Sequence, residues 1–169
     1  MSMNDLLPDR VNVRRLASRA AKLTGICPIG GCKRLLAVVS GTVGDAQVSL
    51  SFSIDGQHRA LMHCTVIATV EMPCQRCLEP MSVELVAEAV LALVITEEQA
   101  ANLPAGYEPL LAKDDMVELA SVVEDELLLV LPLAPSHDTE GCSRTESEPE
   151  SPLEDKPNPF AVLETLKRK

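Results

Sequence analysis

The stretch VEMPCQRCLEPMSVEL, residues 70–85, sets a Cys-x-x-Cys pair, Cys74 and Cys77, between two segments that read as β-strand. Upstream, Cys64, Val66, Ala68, Val70 and Met72 share one side of an alternating run. Downstream, Val83, Leu85, Ala87, Ala89, Leu91 and Leu93 do the same. Period two over both runs predicts strands half buried against a core. The thiols then sit at the tip of the connection between two antiparallel strands, where function is more common than packing.

Moving outward, Val48, Leu50, Phe52 and Ile54 alternate with Ser49, Ser51, Ser53 and Asp55, predicting another strand, and Asp55-Gly56 supplies hairpin chemistry because glycine tolerates positive φ. Before it, LLAVVSGTV (35–43) is expected as strand, Pro28 and Gly30-Gly31 mark a turn, and residues 12–23 form a short basic amphipathic helix. After the meander, DDMVELASVVEDELLLVLP (114–132) reads as a helix. Asp114 or Asp115 would cap it, Glu118 would complete a capping box, and Pro132 would end it. Met116, Leu119, Ala120, Val123 and Leu127 would face inward, with Glu124, Asp125 and Glu126 in solvent. The expected fold class is α+β: an antiparallel β meander packed by a helix.

From His137 onward Ser, Pro and acids dominate, which predicts an acidic disordered linker. KPNPFAVLETLKRK then regains pattern as a short C-terminal helix. Asn158 caps it, Pro159 takes its first position, and Phe160, Leu163 and Leu166 make one stripe. The division expected is 1–35 (N-terminal helix and turn, part of the main domain), 36–136 (α+β core), 137–156 (linker) and 157–169 (docking helix). Pro157, Asn158, Pro159, Phe160, Leu163, Leu166, Lys167, Arg168 and Lys169 are the partner-binding candidates, against a reading in which the segment folds back on its own domain.

The 169 residues are 46% apolar, enough for one cored domain, and carry a formal charge of −10. That sign disfavours an extensive RNA-gripping surface and suits basic partners. With no Trp, one Tyr and two Phe, base stacking is disfavoured as the main binding mode. No run has the length of a membrane span, and the charged N-terminus lacks a secretory apolar segment, so a cytoplasmic protein with thiols or metal ligands in place of disulfides is expected.

A thioredoxin-type CxxC lies where a strand meets a helix; here Pro80 and a strand follow, which favours a zinc knuckle over redox chemistry. A closed zinc site needs two further ligands. His137 with Cys142, or Cys27 with Cys32, have suitable spacing, and unligated thiols are the alternative. Cys64 falls on a core face, and His58 and His63 read as ordinary surface or strand residues. No nucleophile motif, HExxH or phosphate loop occurs, so an enzyme is not expected. A metal-dependent nuclease would need Glu118, Glu124 or Asp125 grouped with Glu84 or Glu88. A direct rRNA-binding module would use Arg14, Arg15, Arg19, Arg34, Lys167, Arg168 and Lys169.

SFSID, CQRCLEP, YEPL, VEDELLLVLPLAPSHD followed by Cys142, and the terminal KPNPFAVLETLKRK, in that order, resemble the YceD family of large ribosomal RNA subunit accumulation proteins. The resemblance runs from about residue 48 to the end. It implies a cytoplasmic bacterial ribosome biogenesis factor supporting synthesis, processing or accumulation of large-subunit ribosomal RNA. The partner implied is a ribosomal protein or a large-subunit precursor particle. Many relatives carry a richer set of cysteines after the acidic helix, resembling a full zinc site, whereas this chain has Cys142 alone. The resemblance therefore implies relics or a half-site at Cys74 and Cys77 and leaves Cys27 and Cys32 outside the pattern; by spacing, Cys74, Cys77, His137 and Cys142 are the candidate ligands.

Overall fold

Three long antiparallel strands carry the architecture: β3 (Gly41–Ile54), β4 (Ala60–Pro73) and β5 (Pro80–Val94). The computed structural model describes residues 5–138 and residue 142. The proposed docking helix, residues 157–169, and most of the expected linker lie outside the described residues. A five-stranded sheet has the order β2-β3-β4-β5-β6, where β2 is Lys22–Cys27 and β6 is Glu108–Leu111. The first four strands form an antiparallel meander, of which β3, β4 and β5 match the expectation and β2 takes residues read as helix and turn, and β6 joins parallel to β5.

Register explains why alternation predicted this sheet. Val48 pairs with Val66 and Val66 with Ala87; Leu50 with Cys64 and Cys64 with Ala89; Phe52 with Met62 and Met62 with Leu91. These rows are all on the covered face and all buried. A one-residue slip would turn every one of them to water. Helix α4 (Leu119–Leu129), which follows the short surface helix α3 (Glu97–Ala101), closes this face with Leu119, Val122, Val123 and Leu127, and α1 (Val13–Ala17) adds Val13 and Ala17. Burying each of the larger side chains contributes about 2 kcal/mol.

Several local expectations are corrected. The N-terminal helix stops at Ala17, because Ala20 at φ 47° reverses the chain and Leu23 joins β2. The 35–43 run is split: Lys33–Leu36 form the short helix α2, and strand begins only at Gly41. At the hairpin, positive φ falls on His58, at 62°, and not on Gly56. The Asp55 carboxylate accepts the N–H groups of Gln57 and Arg59 at 2.9 Å each, holding a loop wider than a two-residue turn. Ile54, expected inward, is exposed.

The acidic helix starts five residues later than its sequence suggests. Met116–Glu118 form a strand, β7, paired with β1 (Arg10–Asn12), and Glu118 precedes α4 without a side-chain cap. Asp115 sits at φ 58° and takes Arg14, so the expected capping box does not form. Ala120 is exposed, whereas Glu124 and Glu126, expected in solvent, are buried.

Candidate metal centre

The β4–β5 connection folds back on itself. Cys74 N–H donates to Glu79 O at 2.8 Å, and Leu78 N–H to Cys74 O at 2.9 Å, with Leu78 at φ 64°. This turn aims both thiols to one side. The segment leaving α4 arrives there, where Gln75 N–H donates to Pro135 O at 2.8 Å. His137 and Cys142 thereby join Cys74 and Cys77, with one ligand atom from each residue and all four within 4.8 Å of one another.

Cys74 Sγ lies 3.4 Å from Cys142 Sγ, and Cys77 Sγ lies 3.4 Å from His137 Nδ1. A tetrahedral ion with metal–sulfur bonds of about 2.3 Å has sulfur–sulfur edges of about 3.8 Å. The observed separations bracket that edge, so the donor set fits a four-coordinate metal. Cys74 and Cys142 are buried, and Cys77 and His137 half-buried, as a closed structural site requires.

Electrostatics already favours thiolate here. Burial would raise the Cys74 thiol, but N–H groups of Cys77, Arg76 and His137 and the Cys142 thiol pull it down to about 5. Cys142, hydrogen-bonded to that thiolate and buried, rises to about 11. A cation placed among these sulfurs would favour their thiolate forms further.

His137 stands with Cys142 beside Cys74 and Cys77, so the candidate ligands named from spacing form one group of four potential donors. Cys27 and Cys32 stay outside the cluster as buried thiols; burial lifts Cys27 to about 11 and also raises Cys32. Cys64 lies in the core, with burial pushing it to about 12. His58 occupies the hairpin loop and His63 the exposed side of β4.

The acids of the nuclease reading are not brought together. Glu84 and Glu88 alternate with Leu85, Ala87 and Ala89 and therefore lie on the sheet face opposite α4. Glu124 is bound to Arg34, its Oε2 taking Nε at 2.8 Å and its Oε1 taking the backbone N–H groups of Arg34 and Leu35 at 2.6 and 3.2 Å. Among the described residues, the Cys3His group is the one cluster of three or more metal-ligating side chains. Of the basic residues named from sequence, Arg14 and Arg34 are held in ion pairs with Asp115, Glu124 and Asp125, while Arg15 and Arg19 are exposed. Among the described residues, no helix is long and apolar enough to cross a membrane.

The family model described as large ribosomal RNA subunit accumulation protein YceD matches residues 62–167. That span takes in all four candidate ligands. A protein of Haemophilus influenzae named Large ribosomal RNA subunit accumulation protein YceD is 39% identical over 170 residues, covering 96% of this chain and 97% of its own. No solved structure matches the chain.

Proposed function

This chain belongs to the YceD family, and from that premise we propose that it is a cytoplasmic ribosome biogenesis factor. It supports accumulation of large-subunit ribosomal RNA by binding a ribosomal protein or a large-subunit precursor particle, without catalysing a reaction. The observation that carries this reading is near full-length similarity to a relative whose name states that role. Two structural features support it. The carboxylates that an RNA-cleaving site would need stand on opposite faces of the sheet or are bound to Arg34. The charge of −10 suits a cationic ribosomal protein, through contacts that are individually weak and screened by salt.

The metal assigned to the Cys3His centre is zinc, which would supply structural cross-linking and no chemistry. Cys74 and Cys77 present the hairpin side of the site, and His137 and Cys142 hold the segment after α4 against it. Residues 157–169 remain the proposed docking segment.

Co-sedimentation with precursor particles tests the reading. Association is expected at low salt and to weaken as salt rises; association undiminished at high salt would rule out the acidic body as the binding element. A null strain expressing the chain truncated after Lys156 is expected to stay deficient in large-subunit ribosomal RNA, and full rescue would remove the docking role. Cleavage of precursor RNA by pure protein with magnesium, lost when one carboxylate is neutralised, would replace binding with catalysis.

A further inference from the structure

The cations of this chain are segregated. From Arg10 to Gly44 there are seven Lys or Arg and no acid, whereas Asp45 to Asp138 holds sixteen acids and three bases. Three of the seven are engaged internally. Arg10 lies 3.7 Å from Asp114, Arg14 forks onto Asp115 at 2.9 and 3.2 Å, and Arg34 binds Glu124 and Asp125 at 2.7 and 2.6 Å. The remaining four, Arg15, Arg19, Lys22 and Lys33, are exposed and have no side-chain partner among the described residues.

Arg15, Arg19 and Lys22 fall in one short run. The helical path continues past α1, with Ser18 N–H donating to Arg14 O at 3.0 Å and Arg19 N–H to Leu16 O at 3.1 Å, so Arg15 and Arg19 share a face. The reversal at Ala20 then delivers Lys22 to the start of β2. Lys22 stands opposite Ser51, and Ser51 opposite His63; the next row is Thr24, Ser49 and Thr65. These rows belong to the face of the sheet that α1 and α4 leave uncovered. Lys22 thus heads a strip of hydroxyls.

We infer that Arg15, Arg19 and Lys22, with Ser51 beside Lys22, form a contact surface for an RNA phosphodiester backbone at the corner where α1 turns into β2. Arginine, lysine and hydroxyl groups are the usual partners of phosphate oxygens. Among the described residues the face offers no aromatic platform, since Phe52 is in the core and Tyr107 lies under Arg59 at 5.3 Å. The surface therefore reads charge and shape, not bases. On the uncovered face Glu88 stands directly opposite Thr65 and Glu84 opposite Thr69, so carboxylates on β5 repel phosphate and confine the strand to the β2–β3 side. This inference rests on the assembly reading above and names RNA as a direct partner.

The test is fluorescence anisotropy of full-length protein with a labelled RNA duplex. Three phosphate contacts give a salt slope near −2.7, so raising salt from about 50 to about 200 mM should weaken binding about 40-fold. The triple variant R15E/R19E/K22E should bind at least about tenfold more weakly, with an unchanged circular dichroism spectrum and melt, because none of the three side chains has a partner among the described residues. The control K33E/K113E should change affinity less than about threefold. The inference is overturned if wild-type protein fails to bind RNA at low salt, if the triple variant binds as wild type does, or if the control loses as much. It is overturned also if RNA alone does not bind while the triple variant leaves the precursor particle, since the corner then meets an acidic protein. Wild-type co-sedimentation is scored in parallel, and its absence tells against the assembly reading separately.

Discussion

Glu124 and Glu126 stand two residues apart on α4, both buried, yet their carboxyls are displaced in opposite directions. Burial alone would raise Glu124, but the Arg34 guanidinium and the N–H groups of Leu35 and Arg34 hold it below the ordinary carboxylate range. Its contribution to stability is present above the unfolded pKa and lost as pH falls through the lower folded value. Burial raises Glu126, and the charges of Glu108 and Asp125 raise it further. Protonation of Glu126 therefore favours the folded state, and that benefit disappears as pH rises through the raised folded value. At neutral pH the buried carboxylate is a cost. Glu126→Gln should raise unfolding free energy by about 1 kcal/mol at pH 7, with the gain shrinking towards zero below the ordinary carboxyl value of 4.5. Urea titrations at both pH values check it; a gain that persists unchanged in acid would mean that packing, not charge, is responsible.

Among the elements, α2 shows most directly how tertiary contact replaces local propensity. Four residues cannot sustain a helix alone, and Cys32 offers no side-chain cap. Glu124 reaches across from α4 and accepts the unpaired N–H groups of Arg34 and Leu35, acting as the missing cap. Glu124→Ala should cost about 2 kcal/mol in urea unfolding, and Glu124→Gln less, because an amide oxygen still accepts an N–H. Equal losses would assign the effect to the ion pair alone. This contact was illegible in the sequence, where Glu124 reads as the solvent side of a helix. The long strands were legible because one buried face imposes alternation over many residues, as Cys64 to Val70 and Leu85 to Leu93 show. Three-residue β7 was not, since Met-Val-Glu also continues the helical pattern after it. The apolar run at 35–43 has no period with which to separate helix from strand. At the Cys3His cluster, spacing nominated His137 and Cys142, but only the fold could bring them, and not Cys27 and Cys32, to Cys74 and Cys77. Likewise, sequence shows seven bases without showing which of them meet an acid ninety or more residues away, as Arg34 does.

At the scale of the whole molecule, the Cys3His centre is a staple between distant parts of the chain. Cys77 and His137 are separated by 60 residues and Cys74 and Cys142 by 68, with β5, β6 and α4 lying between them. Closing such long loops removes conformational freedom chiefly from the unfolded chain, so a bound ion would stabilise the fold through its four ligands alone. The sheet and α4 have an extensive core of their own, and Gln75 already joins the hairpin to Pro135 without metal. Metal loss should therefore loosen this end of the molecule and lower its stability without unfolding it. Protein purified without a metal-affinity tag should contain about one equivalent of zinc, and a strong chelator should lower its Tm by roughly 10 °C. Cys142→Ser should reproduce that lower Tm and make it insensitive to chelator. Less than about a tenth of an equivalent, together with a Tm that chelator does not move, would leave the four side chains as a hydrogen-bonded cluster of thiols and imidazole.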